Sequence, residues 1–195
     1  MDNSPALQLI IILILLALSA FFSSSETALT TVSHLKLRSL ADSGNKKAKK
    51  VLKVTENSSK LLSAILVGNN IVNISASALA TTFCTNMFGS KYIGVSTGIL
   101  TLLVLIFGEI SPKTLATQYA LQLSMVVVYP ISWLMTLLTP VIFLLNILTG
   151  AIFKLFRVDP SAKKTSITEA ELRTIVNVSH EEGVIEPEEK FMISN

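Results

Sequence analysis

Long uncharged apolar runs alternate along this chain with short charged stretches. Residues 6–18 carry no charge, and neither do 61–88, 92–108 or 114–153. A helix needs roughly 20 apolar residues to cross about 30 Å of hydrocarbon, and buried helices of soluble domains are rarely apolar for that long. The pattern predicts an all-α, polytopic membrane protein. A first span runs from about Pro5 to about Leu29 and a second from about Lys60 to about Met87. After a short turn at Gly89-Ser90-Lys91, a third segment runs from Tyr92 to Glu109 and ends in Gly-Glu-Ile-Ser-Pro-Lys. A fourth runs from Leu115 to Phe156 and is broken by Pro130 and Pro140. The first run is not read as a cleaved signal peptide. Met1–Pro5 carries only Asp2 where a basic leader is needed, and the helical pattern continues past Ala20.

Between spans one and two, Val32–Leu40 and Lys46–Lys53 have helical spacing of apolar residues around a turn at Asp42-Ser43-Gly44-Asn45. They read as two juxtamembrane helices at the cytoplasmic interface. Eight lysines and arginines lie between residues 30 and 60, against Asp42 and Glu56. Basic loops stay in the cytoplasm, so the N-terminus is expected outside. Lys154, Arg157, Lys163 and Lys164 place the far end of the fourth segment in the cytoplasm as well. An outside start and an inside end require an odd number of crossings. The expectation is therefore three full crossings plus a re-entrant or interfacial helical element between Pro112 and Pro140, where broken backbone must be covered by protein or line a cavity.

The transmembrane domain is expected to span 1–160, followed by an acidic cytoplasmic helical linker over 161–195. In the linker Thr168 and Glu171 have capping-box spacing. Gly183 ends one helix and Pro187 suits the first turn of the next. The sequence stops at Asn195 inside that helix, so a further cytoplasmic domain is expected to follow in the whole protein.

Composition agrees with the pattern. Hydrophobic residues make up 50% of the chain and charged residues 15%, against about a quarter charged in soluble domains. The basic loop between two spans is read as a contact for anionic lipid rather than for nucleic acid. The single cysteine, Cys84, excludes an intrachain disulfide and supports no metal site. There is no Walker lysine motif and no His-Glu-x-x-His pair, and Ser23-Ser24-Ser25 has no histidine nearby. An enzyme is not expected.

The candidate chemistry is polar groups placed where hydrocarbon would cost less. A carboxylate such as Glu109 costs roughly 2.5–3.5 kcal/mol in a bilayer core. In an α-helix Pro112 leaves the Gly108 carbonyl without its N–H partner. Ser19 and Ser23 share one helix face, as do Asn69 and Asn73. Each has an ordinary alternative role, since serine bonds its own backbone and asparagine joins helices. Taken together on three helices, they offer hard oxygen ligands. Such a set favours Mg²⁺, Ca²⁺ or Na⁺ over zinc or copper, because His34 and His180 lie outside the spans. Glu26 is placed near the cytoplasmic end of span one, as a second acid or a partner for Lys60 or Lys113.

Three stretches carry a resemblance. Ser19-Ala-Phe-Phe-Ser23-Ser-Ser-Glu26-Thr-Ala-Leu, Leu66-Val-Gly-Asn69-Asn-Ile-Val-Asn73 and Phe107-Gly-Glu109-Ile-Ser-Pro112-Lys together resemble the transmembrane domain of the CorC/cyclin M family of magnesium transporters. The likeness covers roughly residues 5–160. Glu182-Gly-Val-Ile-Glu-Pro-Glu-Glu looks like the linker before that family's paired CBS domains. The resemblance implies a homodimer in the plasma (inner) membrane that exports a largely dehydrated Mg²⁺ by alternating access, with Na⁺ as the coupling ion. ATP would act only through the CBS domains. The implied ligands are Ser19, Ser23, Asn69, Asn73 and Glu109 with the Gly108 carbonyl, and the neighbouring serines allow a register shift to Ser24 or Ser25. Two other readings stand beside it. One is a membrane scaffold or Mg²⁺ sensor acting through a further cytoplasmic domain. The other is a cation channel, which the Leu/Ile-rich outer half of span one disfavours.

Overall fold

The structure is a computed structural model and describes residues 4–155. These are helical almost throughout, in the order α1 (Pro5–Thr31), α2 (His34–Asp42), α3 (Lys46–Thr55), α4 (Ser58–Phe88), α5 (Ile93–Leu103), α6 (Ser111–Gln118), α7 (Ala120–Leu137) and α8 (Thr139–Leu155). A 3₁₀ turn, Ser90–Tyr92, leads into α5, and a π-helical stretch, Val104–Ile110, joins α5 to α6. Of the described residues, 4–145 form one compact unit and 146–155 belong to a second. The acidic linker expected over 161–195 lies outside the described residues.

Local chemistry sets the helix ends. The Ser4 hydroxyl accepts the Leu7 N–H and Pro5 occupies the first turn, where a missing N–H costs nothing. Ser33 caps α2 through the Lys36 N–H, and Asn45 caps α3 through Lys47 and Ala48. Between them Gly44 turns the chain at φ +94°, a left-handed conformation that suits glycine. The hairpin predicted for this loop is present. Its inner face of Leu37, Ala41, Ala48 and Val51 is buried, while its lysines project outward. α3 packs against α7.

Four helical segments are long and apolar enough to cross a membrane by length and composition: Pro5–Thr31, Ser58–Phe88, Ser90–Gln118 and Ala120–Leu137. Most of their large apolar side chains face outward. On α1 these include Leu9, Ile10, Leu13 and Ile14, a surface that water would not tolerate and lipid does.

The third segment does not end at Glu109. It continues through Pro112 to Gln118 as 29 residues, about 43 Å of helix at 1.5 Å per residue. The expected break is replaced by a register change, in which the Ser111 N–H bonds the Ile106 carbonyl five residues back. Such a π-turn absorbs a proline without ending the helix. Pro130 likewise sits inside α7, and the chain breaks instead at Leu138, with Pro140 in the first turn of α8. The stretch between Pro112 and Pro140, where a re-entrant or interfacial helical element is expected, consists of α6, which completes the third segment, and the separate helix α7.

α1 is the central strut, packed against α4, the π-turn, α6 and α7. α4 meets it with small residues at four-residue intervals, the buried series Ala64, Gly68, Val72, Ala76 and Ala80. Small residues let helix backbones approach closely. At Gly68 a Cβ would lie 2.8 Å from the Phe22 ring.

The juxtamembrane hairpin sits at the water-facing end, so its core follows ordinary hydrophobic energetics. Leu37→Ala should cost about 2–4 kcal/mol and visibly lower the melting temperature of the purified protein, whereas Leu37→Met should stay near wild type.

Candidate ion site between three helices

Ser19 is at the centre. It lies on the inward stripe of α1, buried, two turns before Glu26. Its Oγ is 3.4 Å from Asn69 Oδ1 on α4 and 3.5 Å from the Gly108 carbonyl oxygen in the π-turn. A hydroxyl has one proton, so it satisfies only one of these acceptors at a time, and both distances are at the long limit. Three oxygens from three helices therefore face one another with a shortage of donors.

Close approach at Gly108 makes this possible. A Cβ there would stand 2.9 Å from Ser19 Oγ and 3.3 Å from Ser19 Cβ. In the five-residue register Pro112 would serve Phe107, and in the four-residue register Gly108, yet it has no N–H. The donor that an unbroken α-helix would deny to Gly108 is, in the five-residue register, denied to Phe107.

Ser23 and Asn73 lie one turn to either side of this contact, because α1 and α4 run antiparallel, with Ser19 meeting Asn69 and Phe22 meeting Gly68. Ser23 Oγ and Asn73 Oδ1 are buried with no hydrogen-bond partner, as is Ser25 Oγ. Each such group costs about 1–3 kcal/mol if left unpaired. The tetrad Ser19, Ser23, Asn69 and Asn73 thus brings two weakly paired and two unpaired oxygens to the interface between α1 and α4. Asn69 and Asn73 each follow a buried residue of the small-residue series, Gly68 and Val72, which places them beside the closest approach.

Glu109 follows Gly108 but is half-exposed, and its carboxylate pairs with Lys113 at 3.2 Å. Lys113 also pairs with Glu26 of α1 at 3.4 Å. Of the partners open to Glu26 in the sequence, Lys113 is the one it meets. Among the described residues no three His, Cys, Asp or Glu side chains gather as a metal-binding group. The donor set is one carboxylate among neutral oxygens. Two features escaped the sequence reading: Ser25 as a buried, unpaired hydroxyl, and the double pairing of Lys113. A helical wheel gives the face of Ser25 but not which helix covers it.

Fold and site together define a polytopic α-helical membrane protein with a polar cluster enclosed between its helices. The chain belongs to the CNNM family, matching the cyclin M transmembrane N-terminal domain over residues 10–189. It is 44% identical over 145 residues to a UPF0053 protein of Haemophilus influenzae, covering 69% of this chain and 34% of that protein. It is 43% identical over 117 residues to the UPF0053 inner membrane protein YfjD of Escherichia coli, covering 60% and 26%. A chloroplastic DUF21 domain-containing protein of Arabidopsis thaliana is 35% identical over 189 residues, covering 96% and 28%. The chain spans between about a quarter and a third of the length of these relatives.

The Ser19–Gly108 contact gives a direct test. Gly108→Ala forces a methyl group against Ser19 and should cost about 1–3 kcal/mol through overpacking, read as a lower melting temperature. Pairing it with Ser19→Ala should recover part of that loss, since the clashing Oγ is gone.

Proposed function

We propose that this chain is the membrane-embedded part of a Mg²⁺ transporter, in which a largely dehydrated ion binds between α1, α4 and the π-turn of the third segment. The observation that carries this reading is the meeting of Ser19 Oγ, Asn69 Oδ1 and the Gly108 carbonyl, flanked by the unpartnered Ser23 Oγ and Asn73 Oδ1. Unpaired buried oxygens are costly unless a cation completes them. With Glu109 the set offers six donors, the number that an octahedral Mg²⁺ takes at about 2.0–2.1 Å. Their hardness argues against zinc and copper, and membership of the cyclin M family supports a transported ion as the cargo.

In this mechanism the neutral oxygens replace water, and Glu109 offsets part of the charge. The Glu109 carboxylate leaves Lys113 and turns toward the ion. A shift of the third segment, already off α-helical register at the π-turn, then changes the side from which the site is reached. Na⁺ entering on the return leg drives export. The N-terminus lies outside and the basic hairpin inside, against anionic lipid. The transporter works as a homodimer, is not an enzyme, and meets ATP only through CBS domains in the remainder of the protein.

Calorimetric titration with Mg²⁺ and flux into liposomes test the site. Glu109→Gln should weaken binding about 10- to 100-fold, the loss of one charged contact, and Asn73→Ala about fivefold. Flux should follow an imposed Na⁺ gradient. Wild-type affinity and flux in both variants would overturn the assignment.

A further inference from the structure

Lys113 stands between two carboxylates from different helices. Its Nζ is 3.2 Å from Glu109 Oε1, one turn back on its own helix, and 3.4 Å from Glu26 Oε2 on α1. The three side chains are each about two-fifths exposed, so water screens both pairs and neither is locked. Glu26 lies seven residues beyond Ser19, about two turns or 10 Å along α1. Lys113 therefore lies on the Glu26 side of Ser19, next to the one carboxylate of the proposed site.

An ammonium and a divalent ion compete for the same Glu109 oxygen. The lysine has a flexible four-carbon stem and a compact charge, and a second carboxylate is already within reach. We propose that Lys113 is a tethered competitor for the cation at Glu109: its ammonium pairs with Glu109 when no ion is bound, and is left to Glu26 alone when a divalent cation takes that carboxylate. This rests on the ion site proposed above and names a residue outside the ligand set that regulates it.

Charge favours the arrangement. Without an ion, Glu26, Glu109 and Lys113 sum to −1, so two facing carboxylates are never left bare. With a divalent ion the sum is +1, and Glu26 keeps the displaced ammonium from sitting unpaired beside the ion. Competition weakens binding below what the oxygens alone would give, which suits a carrier that must also release its cargo. Glu26 acts here through Lys113, as a positioning residue.

The test uses the whole chain purified in detergent, titrated with Mg²⁺ and melted with and without it. Lys113→Met should bind Mg²⁺ about three- to tenfold more tightly, as the screened pair that competes for Glu109 and the positive charge beside the ion both disappear. It should melt lower than wild type when ion-free, and the difference should close at saturating Mg²⁺. Lys113→Arg, which keeps charge and reach, should stay within about twofold of wild type. Wild type that binds Mg²⁺ beside a Lys113→Met variant of equal or weaker affinity would overturn the competitor role alone. So would a melting deficit equally large with and without Mg²⁺, the mark of a purely structural strut. Wild type with no Mg²⁺ binding would remove the ion site and this role together.

Discussion

The close approach of α1 to two neighbouring helices is the constraint on which the site depends. Hydrocarbon gives helices no hydrophobic reason to associate, so contact must come from tight packing and polar bonds. Here Gly68 lies beneath the Phe22 ring and Gly108 against Ser19. A Cβ at either position would force the Phe22 ring or the Ser19 side chain to shift. With the backbones this close, Ser19 comes within hydrogen-bond reach of both Asn69 and the Gly108 carbonyl. Packing and polar chemistry are one feature: the small residues that let the helices touch also bring the oxygens together.

The π-turn extends this logic to the third segment. A straight α-helix through Pro112 would kink or end. The five-residue register over Val104–Ile110 keeps the helix continuous where it packs against α1. Such turns are frequent at functional sites. It also sets Glu109 beside the cluster without burying it, so the carboxylate rests on Lys113 and Glu26.

The juxtamembrane hairpin is built differently. Its core of Leu37, Ala48 and Val51 is fully buried, its ends are capped by side chains, and its turn uses Gly44 at positive φ. These are the devices of a soluble helical hairpin. Resting α3 on α7 ties the basic loop to the membrane-embedded helices, so the charged surface and the polar cluster belong to one packed unit.

Much was legible in the sequence, because hydropathy and capping are local properties. The spans of α1 and α4 fall within about two residues of their expected ends, and the hairpin and its turn lie where apolar spacing put them. Face-sharing by Ser19 with Ser23, and by Asn69 with Asn73, follows from helical periodicity alone. The fate of the prolines was not legible. Pro112 and Pro130 read as breaks, but neighbouring helices hold the chain helical through both, and that support is non-local. For the same reason only the tertiary structure decided that Lys113, rather than Lys60, meets Glu26, and that Ser25 is buried without a partner. The sequence by itself determined an all-helical membrane protein and the residues able to offer oxygens. Which of those oxygens meet was decided by how closely Gly68 and Gly108 let three helices pack.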